Sequence, residues 1–312
     1  MKKEHKTQIG GQALIEGVMM RGVEKCALAV RGSDGNIKTE EFPVQSLKNK
    51  KWFQKVPIIR GVFSFFESML GGYKCLMRST ELSGFTEVEA ESKFDKWLED
   101  KLGDKLTGVV SVFSLVFALL ISVVLFMLLP TGITKLIDSF VPLSDVVKTV
   151  IESFVKIGIF VLYLFLTSLM KDLKRVYRYH GAEHKTIFCY EKGLPLTVEN
   201  VREMKRFHPR CGTSFIIITL LISIFVMMFV PVWDNILLRV GVKLLTLPII
   251  VGISYELIKI AGRYDNIITR IISYPGVLLQ HITTKEPDDS MIECAITALN
   301  LVLTDNPEDD RW

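Results

Sequence analysis

Two histidines one helical turn apart, with a carboxylate between them, are the residues here best suited to chemistry. His180, Glu183 and His184 read H-x-x-E-H within "RYHGAEHKT". On a helix, His180 and His184 share one face. That spacing suits two imidazole nitrogens on one Zn²⁺. Glu183, three residues after His180, is then placed to act as a general base on water. The plainer alternative is a basic extension whose histidines meet lipid headgroups or nearby loops. A metal needs a third ligand, and "RFHPRCGTSF" offers His208 and Cys211 in a turn shaped by Pro209 and Gly212. Arg210 in the same turn is a candidate to steady a developing oxyanion. Its plainer role, with Cys211, is an ordinary helix start.

Other polar residues stand out against apolar surroundings. Glu256, in "GISYELIKIAG", is expected at the inner end of a membrane span. A carboxylate at that depth needs a partner, either a metal or an arginine such as Arg210 or Arg263. A salt bridge that fixes helix packing is the structural alternative. His281, in "LLQHITTKEPDD", is a further histidine, and a lone histidine is more often structural. Glu16 and Arg21 in "ALIEGVMMRG", and Arg60 in "PIIRGVF", are expected to pair with one another or to reach the loop site.

Composition removes several classes. The chain has 312 residues, 49% apolar and 23% charged, with a net charge of +4. No basic tract with interleaved aromatics occurs, so no nucleic-acid partner is expected. The five cysteines are irregularly spaced and include no C-x-x-C, which argues for reduced thiols facing the cytosol. Five histidines are too few for the several His boxes of membrane di-iron enzymes. No arginine follows Cys211 at the spacing of a cysteine phosphatase. Gly-rich phosphate loops and a recognisable Ser-His-Asp arrangement are also missing from the sequence. The start, "MKKEHKTQIGGQALIEGVMMRG", does not read as a signal peptide.

The elements that must hold these residues form a mainly α membrane protein. Residues 1–80 are expected to hold a small α+β cytosolic unit. In it, "CALAVR" and "IKTEEFPV" flank a hairpin turn at Asp34-Gly35, and a helix on the membrane surface or a partly buried hairpin follows over 46–80. Residues 81–106 read as a charged linker. Residues 107–260 hold four transmembrane helices, about Gly108–Leu129 (stopped by Pro130), Ile151–Met170, Thr213–Trp233 and Ile236–Ile258. The second span is expected to pair Glu152 with Lys156 and to run on as a helix through the H-x-x-E-H motif. The loop 171–212 carries ten Lys and Arg, which places it and both termini in the cytosol. Arg239 and Lys243 then fall on the outer side, and snorkelling outward is the expected remedy. In the cytosolic segment 261–312, a C-terminal amphipathic helix capped by Asp289 or Ser290 presents Ile292, Ile296, Leu299 and Leu303 to the N-terminal unit.

Six blocks, "GGQALIEGVMMRG", "YHGAEHKTIFCYE", "LTVENVR", "HPRCGTSF", "GISYELIKIAGR" and "LQHITTKEPDD", resemble in content and order the YqhQ-like family of bacterial multi-pass membrane proteins. That family is built around a domain of unknown function often labelled a metal-dependent enzyme. The resemblance implies a bacterial plasma membrane location and metal residues His180, His184 and His208, with Glu183 beside them. The expectation is therefore a membrane hydrolase whose His180, His184 and either His208 or Cys211 bind Zn²⁺ or another divalent metal, acting on a membrane peptide or lipid. The alternative is a non-catalytic factor in the lipid bilayer that binds another membrane-protein complex, in insertion or quality control. A transporter using Glu152, Lys156 and Glu256 is a third, weaker reading.

Overall fold

A computed structural model of the chain describes residues 6–44, 52–84, 105–231, 235–264, 266–304 and 307–310. Most of the expected charged linker (85–104) and Trp233 lie outside these residues. The chain forms two compact units, each assembled from separate stretches. The first comprises Met1–Phe85, Leu164–Ile222 and Leu247–Trp312; the second comprises Thr86–Tyr163 and Ser223–Thr246.

Four strands open the chain: β1 (Gly10–Leu14), β2 (Gly17–Arg21), β3 (Lys25–Arg31) and β4 (Ile37–Pro43). The α-helices are α1 (Ile59–Ser83), α2 (Lys105–Val123), α3 (Leu129–Phe140), α4 (Asp145–Ser168), α5 (Lys171–Glu191), α6 (Val198–Arg202), α7 (Gly212–Met227), α8 (Ile236–Arg263), α9 (Ile267–Thr283) and α10 (Asp289–Val302).

In the first unit, the strands pair in sequence order as an antiparallel meander. Asp34-Gly35 turns the chain between β3 and β4. Gly35 adopts φ 79°, and the Asp34 carboxylate accepts the Asn36 N–H at 3.1 Å. Side chains alternate across a strand, and here both faces are covered. Val18, Met20, Ala27 and Ala29 pack with Met291, Ile292, Ala295 and Leu299 of α10. Leu14, Leu28 and Val30 pack with Cys75 of α1.

Helix α10 is capped by Asp288, one residue earlier than expected, whose side chain accepts the Met291 N–H at 3.1 Å. Ile292 and Leu299 are fully buried, Ile296 is half-buried, and Met291, Cys294, Ala295 and Ala298 widen the buried stripe. In α1, the paired glycines do not make a hairpin. A Cβ on Gly72 would meet the tip of the Gln12 side chain of β1, 2.4 Å from Oε1. The span before the H-x-x-E-H motif ends at Ser168; Met170 is extended (φ −68°, ψ 134°) and α5 starts afresh at Lys171. Gly181, unfavourable within a helix, is explained by its neighbour. A Cβ there would stand 2.0 Å from the Lys285 carbonyl oxygen.

The second unit corrects two expectations. Pro130 does not stop the first span. A π-helical turn at Val124–Leu128 leads directly into α3, with Pro130 in its first turn, and the apolar run extends over Phe113–Phe140. The wider turn loosens the backbone ladder where proline supplies no N–H. Nor does Glu152 pair with Lys156. It pairs with Arg239 Nη2 at 2.5 Å and with Lys243, and accepts the Thr131 hydroxyl at 3.1 Å. Arg239 and Lys243 are buried rather than turned outward. In an apolar setting, a fully hydrogen-bonded carboxylate between two cations outcompetes a single exposed pair.

Among the described residues, three helical runs are long and apolar enough to cross a membrane: Phe113–Phe140, Asp145–Ser168 and Ile236–Ala261. The fourth expected span is the 16-residue α7. At about 1.5 Å per residue it falls short of a hydrocarbon core roughly 30 Å thick.

Candidate metal centre

Helix α5 brings His180 and His184 onto one face, with ring centroids 4.4 Å apart. The turn entering α7 supplies Cys211, whose Sγ lies 3.1 Å from His180 Nε2. One donor atom from each of these three residues lies within 4.8 Å of the others. The second ring nitrogens are already engaged. His180 Nδ1 lies 2.8 Å from the Thr283 carbonyl and His184 Nδ1 lies 2.5 Å from the Arg206 carbonyl. Carbonyls only accept, so both Nδ1 atoms carry the proton and both Nε2 lone pairs face Cys211. Fixing the tautomer through the outer nitrogen is how metal-binding histidines are oriented. His184 is 1% exposed, and its Nε2 is buried with no hydrogen-bond partner. An orphaned acceptor beside a second imidazole and a thiol fits a soft divalent metal such as Zn²⁺.

The electrostatics run the same way. Burial alone would push the Cys211 thiol up, but His180 and His184 outweigh it and hold the thiol well below its ordinary range. The Thr213 hydroxyl also donates to Sγ at 3.3 Å. Burial lowers His180, yet Cys211 and Glu183 reverse this and raise it to about 9.

Glu183 stands beside the three donors, with Oε2 3.8 Å from Nε2 of each histidine. Burial raises its pKa, partly offset by His184 and His180. The nearby Gly11 backbone of β1 also acts to lower it. A Cβ on Gly11 would lie 2.5 Å from Glu183 Cγ, so only glycine lets β1 come this close. Sequence reasoning gave Gly11 no role. The only signal was the Gly10-Gly11 pair at the start of a strand.

His208 and Arg210 belong to a neighbouring group. The His208 backbone is clamped by the Gln280 amide, which accepts its N–H and donates to its carbonyl, both at 2.7 Å. His208 Nε2 is 3.6 Å from Glu191, and Arg210 also pairs with Glu191. The same carboxylate accepts the Thr7 N–H at 3.0 Å. Glu191 was missed because nothing in the spacing of residues 191, 208 and 210 points to it.

The remaining candidates fall elsewhere. Glu256 is held by Arg60, with Nε at 2.6 Å, and not by Arg210, Arg263 or the histidines. Glu16, at φ 54° between β1 and β2, is gripped by Arg175 and accepts the Tyr179 hydroxyl at 3.2 Å. Arg21 pairs with Glu67 at 3.2 Å. His281 is exposed and stacks on Phe207, with centroids 4.3 Å apart.

Helices of membrane-crossing length, a four-stranded meander and a buried His/His/Cys group define a mainly helical, membrane-type protein with a candidate metal centre. The chain belongs to the family described as "Protein of unknown function (DUF1385)", which residues 56–305 match. It is 36% identical over 296 residues to "Uncharacterized protein YqhQ" of Bacillus subtilis (strain 168), covering 94% of this chain and 92% of that protein. No solved structure matches the chain.

Proposed function

We propose that the protein is a multi-pass, metal-dependent hydrolase of the bacterial plasma membrane, with its site at the cytosolic face and both termini in the cytosol. His180, His184 and Cys211 hold a divalent metal, most simply Zn²⁺, and His208 orders the adjoining loop. The observation that carries this is the paired Nδ1–H donation to backbone carbonyls, which leaves two Nε2 atoms and a thiol converging. A bound metal would supply Lewis acidity. Glu183 is the general base. It takes a proton from water at a carboxylate oxygen, and its burial brings its basicity closer to that required near neutral pH. The substrate is a membrane peptide or lipid able to reach that face.

Burial favours a second reading. His184 and Glu183 are 1% and 5% exposed, as in closed structural metal sites. The metal would then order a non-catalytic factor that binds another membrane-protein complex.

Metal analysis of the purified protein tests the shared premise. About one equivalent of metal is expected, lost in His184→Ala. Less than about a tenth of an equivalent, with no thermal stabilisation by added Zn²⁺, overturns it. Glu183→Gln separates the readings. Metal retained with complementation of a deletion strain lost supports the hydrolase; full complementation supports the structural role.

A further inference from the structure

The chain bends sharply between α4 and α5, where Leu169 and Met170 leave the helical path. The elbow, together with the C-terminal end of α9 and the residues after it, lines an open cleft of about 330 Å³. Such a volume is in the range of small-molecule sites. Its walls divide by chemistry. Lys174, Lys285 and His281 supply two ammonium groups and an imidazole, while Phe165, Leu169 and Ile282 supply the apolar part. Lys174 and Lys285 have no carboxylate partner among the described residues; Lys285 Nζ bonds the His281 carbonyl at 3.3 Å. The neighbouring basic residues differ. Lys185 and Arg206 share Glu286, and Arg178 pairs with Asp288. Unpaired cations thus collect at this cleft.

Phe165 lies in the last turn of a helix long and apolar enough to cross a membrane, and Leu169 just follows it. The cleft therefore offers positive charge where such a helix ends and hydrocarbon contact on its membrane side. We propose that it binds the phosphate headgroup of an anionic membrane phospholipid. The phosphate sits between Lys174 and Lys285, with His281 as a further donor, and the first acyl carbons lie along Phe165 and Leu169. The apolar wall selects a lipid over a free phosphate ester, and the lysines select an anionic headgroup over a zwitterionic one. Lys285 N–H also bonds the Tyr177 carbonyl at 2.8 Å, so the cleft wall is tied directly to the helix bearing His180. The site stands whether or not the metal centre is catalytic.

The test uses full-length protein in nanodiscs of phosphatidylcholine with and without phosphatidylglycerol, and reads retained lipid by native mass spectrometry. Wild type should retain phosphatidylglycerol in preference, and Lys174→Ala/Lys285→Ala should bind it roughly tenfold or more weakly. The arginine pair Lys174→Arg/Lys285→Arg should restore most of the binding. Leu169→Ser should weaken lipid binding while leaving soluble glycerol phosphate unaffected. Equal retention of the two lipids, or an alanine pair that melts and binds like wild type, overturns the proposal. Glycerol phosphate binding as tightly as the lipid overturns it too, leaving a free phosphate ester as the ligand.

Discussion

Gly11 of β1 and Glu183 of α5 approach so closely that a Cβ on Gly11 would stand 2.5 Å from Glu183 Cγ. The sheet edge thereby packs directly against the carboxylate beside the two histidines. Gly11→Ala should displace that carboxylate and destabilise the protein by about 1–3 kcal/mol. Bound metal should persist, because none of the three donors moves directly. Thermal unfolding in detergent, with metal analysis of the same sample, checks both parts.

Cys211 and His208 both offer a third donor in sequence, and the structure places Cys211, not His208, beside His180 and His184. Cys211→Ser replaces a soft thiolate with a hard hydroxyl and should lower Zn²⁺ affinity by at least about tenfold. His208→Ala should leave bound metal unchanged while costing about 1–3 kcal/mol through its lost contact with the buried Glu191. Competition with a chromophoric chelator separates the two. A larger affinity loss in His208→Ala than in Cys211→Ser would reverse the assignment.

Glu152 holds Arg239 and Lys243 together within the second unit. Glu152→Ala strands two buried cations and should destabilise that unit by about 3–5 kcal/mol. Glu152→Ala combined with Lys243→Met should recover part of this, since one cation is removed with the carboxylate. Detergent melting of the single and double variants gives the coupling. Additive losses would show that the pair does not interact.

Asp288 caps α10 and carries a pKa below its ordinary 3.8. Burial pushes it up, but hydrogen bonds from Ser290 and the Met291 N–H, with Arg178 and Arg175 nearby, outweigh that. The folded state therefore binds the proton less readily than the unfolded chain. Its stabilising contribution is complete above the ordinary value and is lost as pH falls through the folded pKa. Asp288→Asn keeps a capping acceptor but cannot titrate. Its melting temperature should fall less steeply than that of wild type below about pH 4. Parallel curves down to about pH 3 would contradict the assignment.

Local pattern made much of the architecture legible. The Asp34-Gly35 hairpin, the predominantly apolar membrane-length runs and the shared face of His180 and His184 all rest on interactions within a few residues, and sequence displays these directly. The H-x-x-E-H spacing determined that two imidazoles share a face, whatever surrounds them. It did not determine which third donor joins them, because His208 and Cys211 sit three residues apart in one turn and only the tertiary packing brings Cys211 beside the two imidazoles. The partners of buried charge were equally hidden. Glu256 takes Arg60, Glu16 takes Arg175, and Glu152 takes Arg239 and Lys243 across separations of 196, 159, 87 and 91 residues. A buried or half-buried carboxylate favours a cation beside it, and sequence states that need clearly. Which cation answers depends on chain paths that bring distant segments into contact. Gly11 marks the limit most sharply. As a letter it suggested only a strand end, and its reason for being glycine is a single contact with Glu183 that exists only in the folded protein.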